Sequence, residues 1–383
     1  MIYNNSSKIE IDKSAVRNNI TFIRSQIGDS VLLSSVVKAN AYGHGIDQMV
    51  PLLESNDVRH FSVFSSFEAR RVLQASKNQP TIMIMGDVAE EDLLWVFEHE
   101  IECFVYNFHD LKNYIYAAKK LKKRALLHIE LETGMNRHGF SPSDLDQLIG
   151  SLREQADYFE LKGICTHFAG AESSANYKRI CNQQKTFLRG IAKFRENDIV
   201  PDHIHSSCSA AILAYPEFNH DMVRVGILTY GLWPSTEMQL TYKIKNEIDK
   251  SPLQPVLSWR SRITDISYVE SGEFIGYGNS YLAETDMKIA SVPVGYGYGF
   301  NRSLSNTGRV IVNGMRLSVI GIVNMNMFLI DASNVEINIG DTVTIIGKDG
   351  SKAINVSHFG NLSDTLNYEL LTRIDKDIPR NVV

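Results

Sequence analysis

Residues that could do chemistry stand at the ends of short apolar segments in the N-terminal part of the chain. Those segments have the length and the nearly continuous apolar composition of strands that are buried on both faces. The residues that follow or end them are Lys38, Glu130, Glu132, Arg137, His167, Ser209 and Arg224. Because the carboxyl ends of parallel strands meet at one rim, this distribution indicates a single site rich in amine, imidazole, carboxylate and guanidinium groups.

Lys38 directly follows the apolar segment VLLSSVV (31–37). Apolar neighbours disfavour an ammonium ion, so we expect a lowered pKa, which a carbonyl-reactive or general-base lysine needs. The alternative is a rim lysine that only extends its amine to water. The next residues, ANAYGHG (39–45), favour chemistry, because their glycines let the backbone approach a ligand and Tyr42 offers a hydroxyl.

A second group of residues is suited to hold a phosphate. Ser209 and Gly226-Ile227 follow the last two apolar segments, and many barrels bind phosphate on backbone N–H groups in the corresponding loops. Each residue alone is equally well explained as an N-cap serine or a loop residue. Taken with Lys38 and Arg224, they suggest pyridoxal 5′-phosphate, bound to the lysine and with its pyridine nitrogen at the arginine.

The elements that must position these residues follow from an alternation of eight apolar segments with helix-like stretches. One such stretch, 175–197, is expected to bury a face formed by Tyr177, Ile180, Cys181, Phe187, Ile191 and Phe194. The alternation predicts an α/β fold with an N-terminal (β/α)8 TIM-type barrel over residues 1–240. The alternative, an open doubly wound sheet, usually carries a GxGxxG phosphate turn, which the sequence lacks.

Beyond the barrel region the pattern changes to consecutive strands. Strands are predicted in VLSWRSRITDISYV (256–269), KIASVPVGY (288–296) and RVIVNGMRLSVIGIV (309–323), and a turn is predicted after DTVTIIG (341–347). Asn313-Gly314 separates two β-branched runs, which strongly favours a two-residue hairpin. We therefore expect a smaller, C-terminal mostly-β domain over residues 241–383.

Composition excludes several classes of protein. The 383 residues carry a net charge of −5, so a basic footprint for nucleic acid or a polybasic membrane anchor is not expected. No segment has the roughly 18 consecutive apolar residues of a membrane span, and the N-terminal sequence lacks a secretory signal pattern. Four widely spaced cysteines without a CxxC pair indicate reduced thiols, no metal site and a cytoplasmic protein.

Motifs spread over nearly the whole chain resemble those of one enzyme family. KANAYGHG (38–45) is similar to the cofactor-lysine signature of alanine racemases, which are fold-type III pyridoxal-phosphate enzymes. Further similar motifs, in the family's order, are TGMNRHGF (133–140), THFAGAE (166–172), HSSCSAA (205–211), MVRVGILTYGL (222–232), GYGNSY (276–281), VPVGYGYG (292–299) and NYELL (367–371). The resemblance implies a pyridoxal-phosphate-dependent isomerase that interconverts L- and D-alanine and supplies D-alanine for the cell wall.

The resemblance also implies a homodimer, in which the C-terminal domain of one subunit completes the site of the other. Lys38 would hold the cofactor and act as the base on the D-substrate, and Tyr277 of the partner subunit would be the base on the L-substrate. Arg224, hydrogen-bonded through His167, would be the cation that lets Tyr277 work near neutral pH. The other implied roles are contact with the cofactor ring by His167 and Arg224, phosphate binding by Tyr42, Ser209, Gly226, Ile227 and Tyr368, and binding of the substrate carboxylate by Arg137 and the backbone near Met325.

The sequence departs from the family pattern in three respects. Glu130 stands where the family usually has a lysine, often carbamylated, that supports the substrate-facing arginine, and Glu132 replaces an aspartate. The expected entry to the site changes at Tyr298, Ile322 and Asn326, which replace an aspartate, an arginine and an aspartate, and retains Arg302. This less charged entry leaves the choice of amino acid open.

Other functions therefore stay open on sequence grounds. The same residues could racemise serine, or a larger or basic amino acid. A fold-type III decarboxylase shares the architecture, but an arginine at the pyridine nitrogen does not readily give up its proton, and Tyr277 as a second base favours racemisation. A non-enzymatic pyridoxal-phosphate-binding protein would resemble the barrel alone, so the C-terminal domain argues against it.

Overall fold

The computed structural model describes residues 6–363 and 366–383, and these form two compact units. The barrel unit comprises residues 15–39 and 49–254, and the C-terminal unit comprises the described parts of residues 1–14, 40–48 and 255–383. The N-terminal strand and residues 40–48 thus belong to the C-terminal unit, and the domain boundary expected at residue 240 stays a prediction. The separate functional roles of residues 1–240 and 241–383 stay a prediction.

The barrel unit contains eight parallel strands, one from each of the eight apolar segments. After β1 (Lys8–Ile11), which belongs to the C-terminal unit, they are β2 (Leu32–Val36), β3 (His60–Val63), β4 (Thr81–Ile84), β5 (Glu102–Val105), β6 (Ala125–Glu130), β7 (Phe159–Cys165), β8 (His203–His205) and β9 (Met222–Val225). Neighbours pair in chain order from β2 to β8, and β9 pairs with β2. An isolated bridge joins Cys208, three residues after β8, to Arg224 in β9, so the predicted TIM-type barrel is confirmed.

Helices alternate with these strands, as expected. In chain order they are α1 (Lys13–Ile27), α2 (Lys38–Tyr42), α3 (Ile46–Glu54), α4 (Ser66–Ala75), α5 (Leu93–Glu98), α6 (Phe108–Leu121), α7 (Leu145–Glu154), α8 (Tyr177–Arg195), α9 (Ala211–Ala214), α10 (Thr236–Lys245), α11 (Val356–Ser363) and α12 (Asn367–Thr372). The expected apolar face of α8 is only partly correct: Tyr177 is 63% exposed and Cys181 half-buried. Tyr177 opens the helix, so the face that packs on the barrel starts one turn later, at Ile180.

The segment after Lys38 is a short left-handed helix. Residues 39–42 have φ between 51° and 53°, a conformation that costs about 1–2 kcal/mol for each L-residue that is not glycine. Hydrogen bonds hold the turn: Gly45 donates its N–H to the carbonyl oxygen of Asn40 (2.9 Å), and Ile46 donates to Asn40 Oδ1 (3.1 Å). A side chain at Gly43 would overlap the carbonyl of Leu371, so only glycine fits at that position.

The C-terminal unit is built on a single mixed sheet. Its strands after β1 are β10 (Leu257–Arg262), β11 (Asp265–Val269), β12 (Met287–Val292), β13 (Arg309–Val312), β14 (Met315–Ile320), β15 (Phe328–Asp331), β16 (Thr342–Asp349), β17 (Lys352–Ile354) and β18 (Arg380–Val382). Their order is β11-β12-β15-β14-β13-β16-β10-β1-β18, with β17 beside β16. This arrangement confirms the mostly-β C-terminal part of the predicted fold class.

Two details of this unit test the sequence-based strand assignments. Asn313-Gly314 closes the β13–β14 hairpin with φ of 51° and 73°, as predicted. Segment 256–269, predicted to form strand structure, contains two strands, since β10 pairs with β1 and β16 whereas β11 pairs with β12. Within the described ranges, no helix has the length and apolar character that crossing a membrane requires.

Candidate active site

The carboxyl ends of the barrel strands bring the predicted residues of the barrel unit to one rim. Lys38 follows β2, Arg137 lies in the loop after β6, and His167 follows β7. Ser209 lies after β8, and Arg224 is the third residue of β9. The structure thus places these five side chains at the end of the barrel where such folds carry their chemistry.

Lys38 is half-buried at this rim. Burial lowers the pKa of its amine below the ordinary 10.5, and the positive charges of Arg137 and Arg224 lower it further, against an opposing effect of Glu68. The expected lowered pKa is therefore confirmed. Glu68 also fixes the chain here, because its carboxylate accepts the N–H of Ala39 at 2.6 Å and that of Phe64 at 2.9 Å.

Arg224 is 6% exposed, and both terminal nitrogens of its guanidinium donate hydrogen bonds. Nη2 donates to the carbonyl oxygen of Thr166 at 2.8 Å, and Nη1 donates to Nδ1 of His205. The expected hydrogen bond between Arg224 and His167 is not found among the described residues, and His205, which ends β8, is the partner instead. His167 lies beyond the end of β7.

His167 is held as a neutral imidazole. Burial, together with the positive charges of Arg224, Arg137 and Lys38, lowers its pKa to about 3. Its backbone is fixed by Gln183, whose Nε2 donates to the carbonyl oxygen of His167 at 3.0 Å. At neutral pH this ring can therefore accept or donate a hydrogen bond without adding a further positive charge to the site.

The loops after β8 and β9 are joined by Ser209. Its hydroxyl oxygen accepts the backbone N–H of Gly226 at 2.9 Å. A 3₁₀ turn, Ile227–Tyr230, starts directly after Gly226, and the Tyr230 hydroxyl donates to the carbonyl oxygen of Val36 on β2 at 2.8 Å. Ser209 does not begin the next helix, since α9 begins at Ala211 with Ala210 at its N-cap and no side-chain cap.

Glu130 is buried and contacts two side chains of the loop after β6. Its Oε1 lies 4.0 Å from Nη2 of Arg137, a long ion-pair distance, and its Oε2 lies 2.8 Å from Nδ1 of His138, although the latter pair is not aligned as a hydrogen bond. Arg137 Nε in turn donates to His138 Nε2 at 3.0 Å. With its short stem, Glu130 lies at the limit of ion-pair range from Arg137 and places its other oxygen against His138, a neighbour of Arg137 that the sequence did not single out.

Glu132 binds the backbone of the same loop. Its carboxylate accepts the backbone N–H of Asn136 at 2.8 Å and also that of Gly134. Arg179 on α8 donates to the carbonyl oxygen of Gly134 at 2.9 Å from the other side. These contacts fix the loop that carries Arg137.

The remaining predicted residues belong to the C-terminal unit. The rings of Tyr42 and Tyr368 lie together, with centroids 5.9 Å apart. Tyr277 is 69% exposed and Met325 is 56% exposed. The carbonyl oxygen of Met325 accepts the N–H of Gly297 at 2.9 Å, so the segments that carry Tyr298 and Asn326 lie side by side.

The barrel rim suits an anion that bears a carbonyl group. Arg137 and Arg224 are close enough to Lys38 for their positive charges to lower the pKa of its amine. An anionic ligand would offset the repulsion among these positive charges. An amine of lowered pKa can bond covalently to an aldehyde. Taken together, the donor set fits a phosphorylated aldehyde and a carboxylate substrate.

The chain is similar to known proteins over nearly its whole length. The sequence matches the family of the alanine racemase N-terminal domain over residues 11–234 and that of the alanine racemase C-terminal domain over residues 256–382. The alanine racemase of Methanococcus maripaludis is 37% identical over 373 residues, which cover 97% of each chain.

Solved structures show the same relation. The alanine racemase of Bacillus anthracis with bound L-Ala-P is similar at a TM-score of 0.90 and 30% identity, with 100% of this chain and 96% of that one covered. The alanine racemase of D-cycloserine-producing Streptomyces lavendulae is similar at a TM-score of 0.92 and 26% identity, with 100% and 98% covered. With both domains matched and full-length relatives at this identity, the chain belongs to the alanine racemase family.

Proposed function

We propose that this isomerase interconverts L- and D-alanine with pyridoxal 5′-phosphate as its cofactor, and that its D-alanine serves cell-wall synthesis. The observation that carries the proposal is the environment of Lys38, a half-buried amine of lowered pKa within the field of Arg137 and Arg224. The full-length similarity to alanine racemases supports the choice of alanine as substrate.

The alanine racemase family depends on pyridoxal phosphate, and the residues of the rim fit that group. When bound, it supplies the electron withdrawal that makes the α-proton of an amino acid acidic. The Lys38 amine would hold its aldehyde, and Arg224 would face its pyridine nitrogen. Its phosphate would be held by Ser209, Gly226, Ile227, Tyr42 and Tyr368. The Ser209–Gly226 hydrogen bond supports this part of the proposal, because it fixes two of these residues together.

Racemisation needs one proton removed from one face of Cα and another delivered to the opposite face. Lys38 would move the proton of the D-alanine face, and Tyr277 of the partner subunit that of the L-alanine face. The high exposure of Tyr277 and Met325 supports a homodimer, since side chains that complete another subunit's site must lie on the surface of their own.

Arg137 is proposed to receive the substrate carboxylate. Arg137→Lys keeps the positive charge but loses the planar fork that binds a carboxylate through two hydrogen bonds. We expect the KM for alanine to rise about tenfold, while the amount of bound cofactor stays unchanged. Steady-state kinetics with both enantiomers measure the change, and Arg153→Lys, at an exposed arginine of α7, serves as the matched control. An unaltered KM would remove Arg137 from substrate binding.

The decisive experiment on function is α-proton exchange in D₂O, followed by NMR, together with optical inversion. The purified protein with pyridoxal phosphate is given L- and D-alanine, serine, lysine, arginine and glutamate in separate reactions. We expect fast exchange and inversion with alanine above all others. Absence of exchange with every amino acid would contradict the proposed function.

A racemase for another amino acid is the second candidate, and the changed entry residues favour it. Tyr298, Ile322 and Asn326 replace three charged residues of the family pattern. In the same D₂O panel, faster exchange of serine or of a larger amino acid would reassign the substrate while keeping the two-base reaction. Restoring the family residues at these three positions should then shift the preference towards alanine.

A further inference from the structure

A buried chain of polar side chains runs from Arg224 into the interior of the barrel. TIM-type barrels normally fill this interior with valine, isoleucine and leucine. Here the interior instead holds Ser34, Ser62, His60, Glu102, His128 and His205, each at most 4% exposed. These residues come from β2, β3, β5, β6 and β8, so five strands contribute to one network.

The contacts of the network are continuous. His205 Nε2 lies 2.9 Å from His128 Nδ1, and His128 Nε2 lies 2.8 Å from Glu102 Oε2. On the other side of the carboxylate, His60 Nε2 lies 3.1 Å from the same oxygen. Ser34 Oγ is 2.8 Å from His60 Nδ1 and 2.5 Å from Ser62 Oγ.

The donor and acceptor chemistry of these groups fixes the direction of the hydrogen bonds that connect Arg224 with Glu102. A carboxylate only accepts, so His128 must carry its proton on Nε2 and leave Nδ1 bare. That bare nitrogen can only accept, so His205 must carry its proton on Nε2 as well. His205 is then left with a bare Nδ1, which is the acceptor that the guanidinium of Arg224 needs, since arginine only donates.

The protonation states agree with this direction. Burial raises the pKa of Glu102, but hydrogen bonds from His128 and His60 more than reverse that effect, so its net pKa is lowered and it stays ionised. Burial lowers the pKa of His128 and of His205, and the charge of Arg224 lowers that of His205 further. Both rings are therefore neutral at neutral pH.

The backbone beside the imidazoles of His128 and His205 has a glycine, Gly163, where a side chain would not fit. Gly163 on β7 is the register partner of His128, at an irregularity of the β6–β7 pairing. A Cβ at Gly163 would overlap His128 Nδ1 and would lie 2.9 Å from His205 Nε2. Any side chain at this position would push apart the two atoms that form the central link of the network.

We infer that Glu102 is a positioning residue for the proposed reaction: through His128 and His205 it fixes the tautomers that hold the guanidinium of Arg224 in place beside the cofactor ring. This inference rests on the proposed function, because Arg224 is assigned to the cofactor there. It adds Glu102, His128 and Gly163, which lie in the barrel interior and not at the rim, to the residues on which turnover depends.

The direct test is the tautomeric state of the imidazoles in the full-length protein labelled with ¹⁵N-histidine. Long-range ¹H–¹⁵N NMR of the wild type should show two neutral rings that are protonated on Nε2. The ¹⁵N resonances of these two rings should be shifted in both Glu102→Met and Gly163→Ala. In Glu102→Met the acceptor is gone, and the two rings should lose their preference for Nε2 protonation. Gly150→Ala is the matched control, since Gly150 lies in α7 with open space around it.

Kinetics provide the second readout. In Glu102→Met and Gly163→Ala, kcat for alanine should fall about 10²-fold, while KM changes little. The reason is that a displaced Arg224 no longer holds the cofactor ring in position. Glu102→Gln retains an oxygen acceptor and should recover most of this loss. If Glu102→Met does not fold, Gly163→Ala decides alone, since it changes neither charge nor any hydrogen-bonding group.

Two results would overturn the inference. One is a wild-type protein whose His128 or His205 carries its proton on Nδ1 or on both nitrogens. The other is Gly163→Ala with the kcat of the wild type. The NMR result does not depend on turnover, so it can fail or succeed separately from the proposed function, which is tested by α-proton exchange.

Discussion

Replacing Lys38 by alanine should abolish racemisation in both directions, with a loss of at least about 10⁴-fold in kcat, because the variant lacks the amine proposed to hold the cofactor and to act as one of the two bases. The visible absorbance of lysine-bound pyridoxal phosphate should disappear together with the activity. Polarimetry with L- and D-alanine and the absorption spectrum of the purified variant measure the two effects.

The control for this substitution is Lys120→Ala, at an exposed lysine near the end of α6, which should behave as the wild type. Racemisation by Lys38→Ala at more than a trace would disprove its assignment. The pH dependence of cofactor capture by the wild type gives a further check. Capture needs the neutral amine, so its rate should rise with pH and level off below 10.5, the ordinary lysine pKa.

Tyr277→Phe should remove proton transfer on the L-alanine face and leave proton transfer on the D-alanine face. Phenylalanine keeps the ring but has no hydroxyl to move a proton, so inversion should fall by about 10²- to 10⁴-fold with the cofactor still bound. Exchange of the α-proton of L-alanine should fall equally. Exchange of the α-proton of D-alanine should persist in D₂O, because Lys38 is the proposed base on that face.

This asymmetry separates loss of a base from general damage to the protein. A misfolded or cofactor-free variant would lose exchange with both enantiomers. Tyr268→Phe, at another highly exposed tyrosine of the C-terminal unit, should leave both exchange rates and inversion unchanged. Unaltered inversion by Tyr277→Phe would remove its role as the second base.

The barrel was predictable because its strands are buried on both faces, which gives short, nearly continuous apolar segments that few other structures share. The strand β1 was not predicted. Its four residues, KIEI, alternate buried and more exposed positions and precede a helix, so the local pattern does not indicate pairing with β10 and β18, which follow hundreds of residues later.

The rim of the candidate site was predictable for a different reason. In a parallel barrel, position along the chain tells which residues end a strand, and Lys38, Arg137 and Arg224 all do so or lie just beyond. The hydrogen-bond partner of Arg224 was not predictable, because the choice between His167 and His205 depends on which side chain points into the barrel. Glu102 and His128 were missed since they lie within apolar segments, and their contacts join strands that are distant in sequence.

The left-handed turn at residues 39–42 has a stereochemical consequence. The preferred sign of φ inverts for a D-residue, so a φ of 51° to 53° that strains an L-residue is a relaxed conformation for its mirror image. Ala39 is exposed, so an inverted Cβ has room there. A semisynthetic chain with D-alanine at position 39 should keep the same backbone path and relieve about 1–2 kcal/mol of strain. Directly after Lys38, the backbone of this chain adopts the handedness that suits a D-amino acid, the product that the enzyme is proposed to make.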